Sequence, residues 1–275
     1  MWLSEQVRPG IWVGFTDADA GNLAFHVGDD PTVVANHRKS VETLLAGAAG
    51  VRAVKLAYMN QVHGAEVASI SAGISDAGTS DAGTSDTGTS GGGAPTADAM
   101  VTTAQRLIDD GPVTGLAVMV ADCVPVVLVG QTRAGEAVLA VAHAGRPGVQ
   151  KNVIAAVMAQ MRLAGAESIE AWLGPSVCGK CYEVPQDLRA AVAGVAPQAH
   201  ATTSWGTPSL DLPAAVLAQL AGAGATAHPS GICTLEDPRY FSHRRAQRDG
   251  GAEGRFIGFV AAVPIAPDDE STPAP

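Results

Sequence analysis

Three side chains in this sequence are of the types that metal binding or nucleophilic catalysis requires, and each lies close to a glycine or proline. They are His63 in NQVHG, Cys123 in ADCVP and His143 in AHAG. Cys123 lies within the apolar stretch 116–129 and His143 just past the apolar stretch 137–142, and the polar GQTRAGE at 130–136 joins the two stretches. That pattern reads as a β-hairpin. With the turn centred near Arg133, Cys123 and His143 oppose each other directly, with Cβ atoms roughly 4.5–5.5 Å apart on one face. Such a pair suits two ligands of one metal ion, and equally a cysteine nucleophile with its histidine base. Asp122 then faces the other side. Pro125 is where a bulge would shift this register. A helix starting at Pro147 would turn its free N–H groups toward an anion near His143. Spacing alone does not bring His63 to the pair.

Two further groups carry chemistry. Cys178-Gly-Lys-Cys181 is a CxxC, half of a zinc site or a redox pair. No second CxxC and no strand–CxxC–helix context accompany it, which favours loop cysteines without catalytic work. Phe241-Ser-His-Arg-Arg245, with Arg239, Arg248 and Arg255 around it, is a basic run in an acidic chain. It is either a solvated face with carboxylate partners or a clamp for phosphate.

The elements that must position these residues follow from periodicity and caps. Strands are expected over 12–16, 99–103, 169–173 and 255–263, with 51–70 mostly strand. Helices are expected over 31–46, with Asp30 as N-cap, over 147–163, and over 212–220, with Asp211 as N-cap. Residues 76–90 are three near-identical pentads, DAGTS, DAGTS and DTGTS. They hold too little apolar area to offset the entropy of ordering, so 73–95 reads as a disordered loop inserted in one domain spanning 1–263. The Pro-rich tail, 264–275, reads as disordered too.

Composition narrows the class. The chain has 275 residues, 47% hydrophobic and 16% charged, enough for a sizeable core in a mixed α/β fold. Its net charge of −10 argues against a nucleic-acid partner. The first residues, MWLSEQVRPG, lack a signal-peptide pattern, and no apolar run spans a bilayer, so a soluble cytoplasmic protein without a membrane partner is expected. Four cysteines in such a chain point to reduced thiols or metal ligands. Oligomeric state is not legible.

Taken together, HVGDDPTVVANHR (26–38), NQVHGAEV (60–67), ADAMVTT (97–103), ADCVPVVL (121–128), AHAG (142–145), LGPSVCGKCYEV (173–184), DLPAAVLAQL (211–220) and CTLEDPRYFSHRR (233–245) resemble the bacterial YfiH-like family. That family was once described as multicopper polyphenol oxidoreductases, or laccases, and later as purine nucleoside phosphorylases. The resemblance implies a layered α/β/α-type fold similar to the cytotoxic-necrotizing-factor deamidases. It implies that His63, Cys123 and His143 are catalytic and bind zinc, or copper. It also implies phosphorolysis of adenosine, inosine and methylthioadenosine, with adenosine deamination. Gln61, Arg38, Arg146, Arg245 and Arg255 become the expected contacts to nucleoside and phosphate, Arg245 first among the arginines. Glu66 and Asp122 are the nearest acids for proton transfer. The sequence departs from the family in four places, one being that the Asn-Arg pair of the first helix reads Asn36-His37-Arg38. AGRPG replaces AGWRG at 144–148, no Thr-Arg-x-Gly-Gly follows the first strand, and Ala246, Gln247 and Arg248 are extra. Three other readings stand beside it: a Cys–His amidase acting on peptidoglycan precursors, a copper-dependent phenol oxidase, and a binding protein that keeps the pocket.

Overall fold

The computed structural model describes residues 3–70, 93–109 and 114–264. The pentad repeats and the tail beyond 264, both expected to be disordered, lie outside the described residues. Two main sheets form. The first contains β1 (Leu3–Arg8), β2 (Ile11–Phe15), β3 (Leu56–Ala57), β6 (Gly115–Val120) and β13 (Phe256–Ala262), in the order β1-β2-β13-β6-β3. The second contains β4 (Val67–Ser69), β5 (Ala99–Thr103), β7 (Val124–Gln131), β8 (Ala137–Ala144), β9 (Ser168–Leu173) and β12 (Thr226–Pro229), in the order β12-β9-β7-β8-β5-β4. A ribbon of β10 (His200–Thr202) and β11 (Pro208–Leu210) lies apart.

The period-two alternation of each strand explains how the sheets stack. Leu116, Val118 and Val260 of the first sheet meet Val127, Val129, Leu139 and Val141 of the second. On the far side of the second sheet, Val126, Leu128 and Ala140 pack on α4 (Val153–Leu163) and α6 (Leu212–Gly222). On the far side of the first, Ala117, Met119 and Phe259 pack against Val41 and Leu45 of α1 (Pro31–Ala49). The fold is mixed α/β, and its layers run helix, sheet, sheet, helices. Strands covered on both faces read as continuous apolar runs, as β6 and β7 do. No helix among the described residues is long and apolar enough to cross a membrane.

Three elements differ from their sequence reading, and each difference shapes the site. The apolar run 116–129 is not one strand. It is β6 and β7, in different sheets, broken at Ala121-Asp122-Cys123. The run stays apolar because both halves are buried, which hides the crossing. Residues 51–70 are mostly loop, with only β3 and β4 as strands. The helix expected over 147–163 is α3 (Arg146–Gln150) followed by α4, because Asn152 takes a left-handed conformation (φ 56°) and caps α4 by accepting from the Ala155 N–H. Short or weakly patterned helices escaped the sequence reading: α2 (Ala104–Asp109), α5 (Gln186–Val195) and α7 (His243–Asp249).

Candidate active site

The crossing from β6 to β7 delivers Cys123. Asp122 sits there at φ 77°, a conformation that costs energy in a residue other than glycine. Its surroundings enforce it. The carboxylate accepts from Thr234 Oγ1 at 2.6 Å and from the Arg244 N–H at 2.8 Å. Its carbonyl accepts from the Val177 N–H at 3.0 Å. Both carboxylate oxygens are thereby engaged, and Asp122 anchors the crossing.

The hairpin register also corrects the sequence reading. β7 and β8 pair Pro125 with His143 and Val124 with Ala144, and the turn is centred one residue later than expected. Cys123 therefore stands level with Gly145, two residues from direct opposition to His143. A slip of two preserves the face, because side chains alternate with period two. Pro125 causes no bulge: pairing with β8 runs through it without a break, and pairing with β9 begins at Val126. Gly145 is required where it stands. A Cβ there would lie 2.9 Å from Cys123 Sγ, 3.2 Å from His63 Cδ2 and 3.5 Å from His143 Cε1. We expect Gly145→Ala to cost about 1–3 kcal/mol by overpacking. Much of that should appear as weakened metal binding, measured by chelator competition, with the melting temperature recorded alongside.

His63 reaches the pair through Asp98, a residue that the sequence reading passed over. Asp98 is fully buried and accepts from the N–H groups of Val62 (3.3 Å), His63 (2.9 Å) and Gly64 (2.5 Å). Its Oδ1 also lies 2.9 Å from His143 Nδ1. One carboxylate thus ties the 62–64 loop to β8, and holds His63 in its left-handed conformation at φ 59°. The available signal was an isolated acid in the apolar segment ADAMV. Gln61 straps the same loop to β6. Its Nε2 donates to the Met119 carbonyl (2.7 Å) and its Oε1 accepts from the Met119 N–H (2.8 Å). Both ends of the amide are engaged, so Gln61 holds this loop in place.

The ligand atoms of His63, Cys123 and His143 all lie within 4.8 Å of one another. The two imidazoles meet edge to face, with centroids 4.7 Å apart. Burial pushes the Cys123 thiol up, but the two histidines outweigh it and hold the group down at about 6. Burial likewise pushes His143 down, but the Cys123 charge and the Asp98 carboxylate bring it up to about 9. Burial would raise Asp98, yet its bonds to His143 and to the Gly64 and His63 amides keep it below the usual carboxylate range. The two opposite shifts favour the thiolate–imidazolium form of the pair.

The donor set fits a metal ion. Asp98 engages Nδ1 of His143 and leaves Nε2 for a ligand, the carboxylate–histidine arrangement that orients metal-binding imidazoles. One thiolate and two imidazoles match catalytic zinc sites with an open position, and also suit copper.

A cleft of about 410 Å³ opens over these residues, lined by His63 and Cys123 together with Arg146, Tyr182, His243 and Arg244. Arg146 donates to Gln150 Oε1 at 3.0 Å. The Arg244 guanidinium lies 4.6 Å from the Tyr182 ring centroid. Neither arginine pairs with a carboxylate among the described residues. Of the expected phosphate contacts, only Arg146 lines this cleft. Arg245 instead donates to the carbonyls of Thr234 (2.6 Å), Leu235 (3.2 Å) and Tyr240, clamping the loop before α7. Successive helical residues point about 100° apart, so α7 turns Arg244 to the cleft and Arg245 inward. Arg38 is buried: its Nε donates to the Leu23 carbonyl, its guanidinium lies 3.6 Å from the Tyr58 centroid, and it borders a separate groove of about 880 Å³ along α1. Arg255 is paired with Glu253 at 3.0 Å and lies near His26, outside the cleft lining. Glu66 does not line the cleft either. Arg244, His243 and Tyr182 are cleft residues that spacing could not select.

Comparison with known proteins gives this arrangement a family. A family described as multi-copper polyphenol oxidoreductase laccase matches residues 12–263. A purine nucleoside phosphorylase of Streptomyces coelicolor is 40% identical over 263 residues, covering 91% of this chain and 95% of the relative. One from Streptomyces griseus is 40% identical over 254 residues, covering 90% of each chain. The crystal structure of a Neisseria meningitidis protein superposes with a TM-score of 0.71 at 26% identity, covering 96% of this chain and 99% of that one. The shared fold, the match over nearly the whole described length and the relatives at 40% identity place this chain in the multi-copper polyphenol oxidoreductase laccase family, the YfiH-like proteins.

Proposed function

We propose that the cleft phosphorolyses purine nucleosides, namely adenosine, inosine and methylthioadenosine, with His63, Cys123 and His143 holding one zinc ion. The observation that carries this reading is the company the three donors keep. Two guanidinium groups without carboxylate partners, Arg146 and Arg244, share their cavity, and its volume suits a nucleoside. The names of the relatives support the same reaction.

In phosphorolysis a phosphate oxygen bonds to C1′ of the ribose. The C1′–N9 bond breaks, and its electron pair leaves with the purine. Arg146 and Arg244 hold the phosphate by charge-assisted hydrogen bonds and aim it. Tyr182 supports the Arg244 guanidinium from below. Asp98 fixes the orientation of His143. When bound, the ion supplies Lewis acidity at the cleft floor. The reading includes adenosine deamination, recorded as ammonia release. Copper would accept the same donors, so elemental analysis of protein made without added metal identifies the ion.

Metal-loaded protein should release hypoxanthine from inosine only when phosphate is present. Absence of turnover with all three nucleosides under those conditions would rule the phosphorylase out. A specific geometry favours one second reading. Asp98 bonds His143, whose ring lies against a Cys123 thiol held below its ordinary range, the order of groups in Cys–His–Asp amidases. Amidase activity that survives complete chelation would establish that alternative.

A further inference from the structure

The CxxC of the sequence acquires a third sulfur in three dimensions. Ser176 bridges to Cys233 in a parallel pairing: the Ser176 N–H donates to the Ile232 carbonyl and the Thr234 N–H donates to the Ser176 carbonyl, both at 3.1 Å. That pairing lays the loop bearing Cys178 and Cys181 alongside the segment bearing Cys233. Between the first two cysteines the chain makes a tight turn, with the N–H groups of Cys181 and Tyr182 both donating to the Cys178 carbonyl at 3.0 Å. The Cys178 N–H points at Cys233 Sγ, 3.4 Å away. The ligand atoms of Cys178, Cys181, Cys233 and Glu236 lie within 4.8 Å of one another, and all three thiols are free. Cys181 and Cys233 are buried in a small apolar cluster with Val177.

We propose that Cys178, Cys181, Cys233 and Glu236 bind a second zinc ion, closed and structural, separate from the site in the cleft. Three thiolates and a carboxylate complete a tetrahedral shell without an open position, and the C-x-x-C spacing is one that structural zinc uses. A disulfide accounts for the arrangement less well, because it would use two sulfurs and leave the third and the carboxylate without a role. The position gives the ion a task. It fastens the loop that carries Val177 and Tyr182 to the cleft onto the segment that leads through Thr234 to Arg244. Thr234, next to Cys233, also bonds Asp122, which positions Cys123. The second ion therefore braces a cleft wall from outside.

Zinc per chain in reduced, purified protein separates this site from the first. The parent should hold about two ions, the His63→Ala/Cys123→Ala variant about one, and that variant with Cys178→Ser/Cys233→Ser added about none. Cobalt loaded into the His63→Ala/Cys123→Ala variant should show a strong thiolate-to-metal charge-transfer band, because only this site still offers thiolates in number. Glu236→Gln should keep the stoichiometry and lose about tenfold in affinity. A folded His63→Ala/Cys123→Ala variant that holds neither zinc nor cobalt overturns the proposal, as does an intact mass showing a disulfide in this cluster with no metal. Two of these outcomes separate the sites. One ion in the parent and none in that variant leaves the cleft site standing alone. One ion in both leaves this site standing and removes the other. If the serine substitutions prevent folding, the His63→Ala/Cys123→Ala measurement already decides the matter.

Discussion

Asp98→Asn weakens metal binding in the cleft by about 10–100-fold, the usual cost of altering the carboxylate behind a metal-binding histidine. It also lowers fold stability by about 3 kcal/mol. Both effects have one origin. The Asp98 carboxylate is fully buried and meets the N–H groups of Val62, His63 and Gly64 as well as His143 Nδ1. An asparagine has one oxygen to offer and turns an NH₂ group toward donors that cannot accept from it. The 62–64 loop loosens, His63 leaves its place, and His143 loses the partner that fixes its orientation. Chelator competition reads the affinity and thermal unfolding reads the stability. A metal affinity within twofold of the parent would show that Asp98 does not organise the site.

Arg244→Ala and Arg245→Ala should separate cleanly, although the residues are adjacent. Arg244 faces the cleft. Loss of a charge-assisted hydrogen bond to phosphate costs about 1.5–3 kcal/mol, roughly 10- to 100-fold in phosphate KM or kcat/KM. The melting temperature should hardly move. Arg245 holds carbonyls of the 234–240 loop. Its removal leaves those acceptors without partners, at about 1–3 kcal/mol for each that stays buried, and the melting temperature falls by several degrees. If Arg245→Ala instead raised the phosphate KM while Arg244→Ala destabilised the fold, the assignment of the cleft would be reversed.

The two arginines illustrate where sequence reading stops. The basic run at 239–245 is visible as composition, but which member serves a ligand depends on the helical phase of α7. Ser242 sets that phase, capping the helix by accepting from the Arg245 N–H. An expectation made before the cap is placed cannot tell neighbours 100° apart from each other. The same limit hid the break at 121–123. Hydrophobicity reports that β6 and β7 are buried, not that they belong to different sheets.

The site with which the sequence reading began shows the division most clearly. Alternation along a hairpin determined that Cys123 and His143 share a face, and period two makes that conclusion survive the two-residue error in register. Helix caps at Asp30 and Asp211 were likewise local facts, since a cap is a hydrogen bond within a few residues. His63 and the third thiol, Cys233, are different. Each comes from a segment distant in sequence, and no local period carries information about that distance. Tertiary structure decided both, through Asp98 in one case and the Ser176–Cys233 pairing in the other. A buried polar group must find its partner wherever packing puts it.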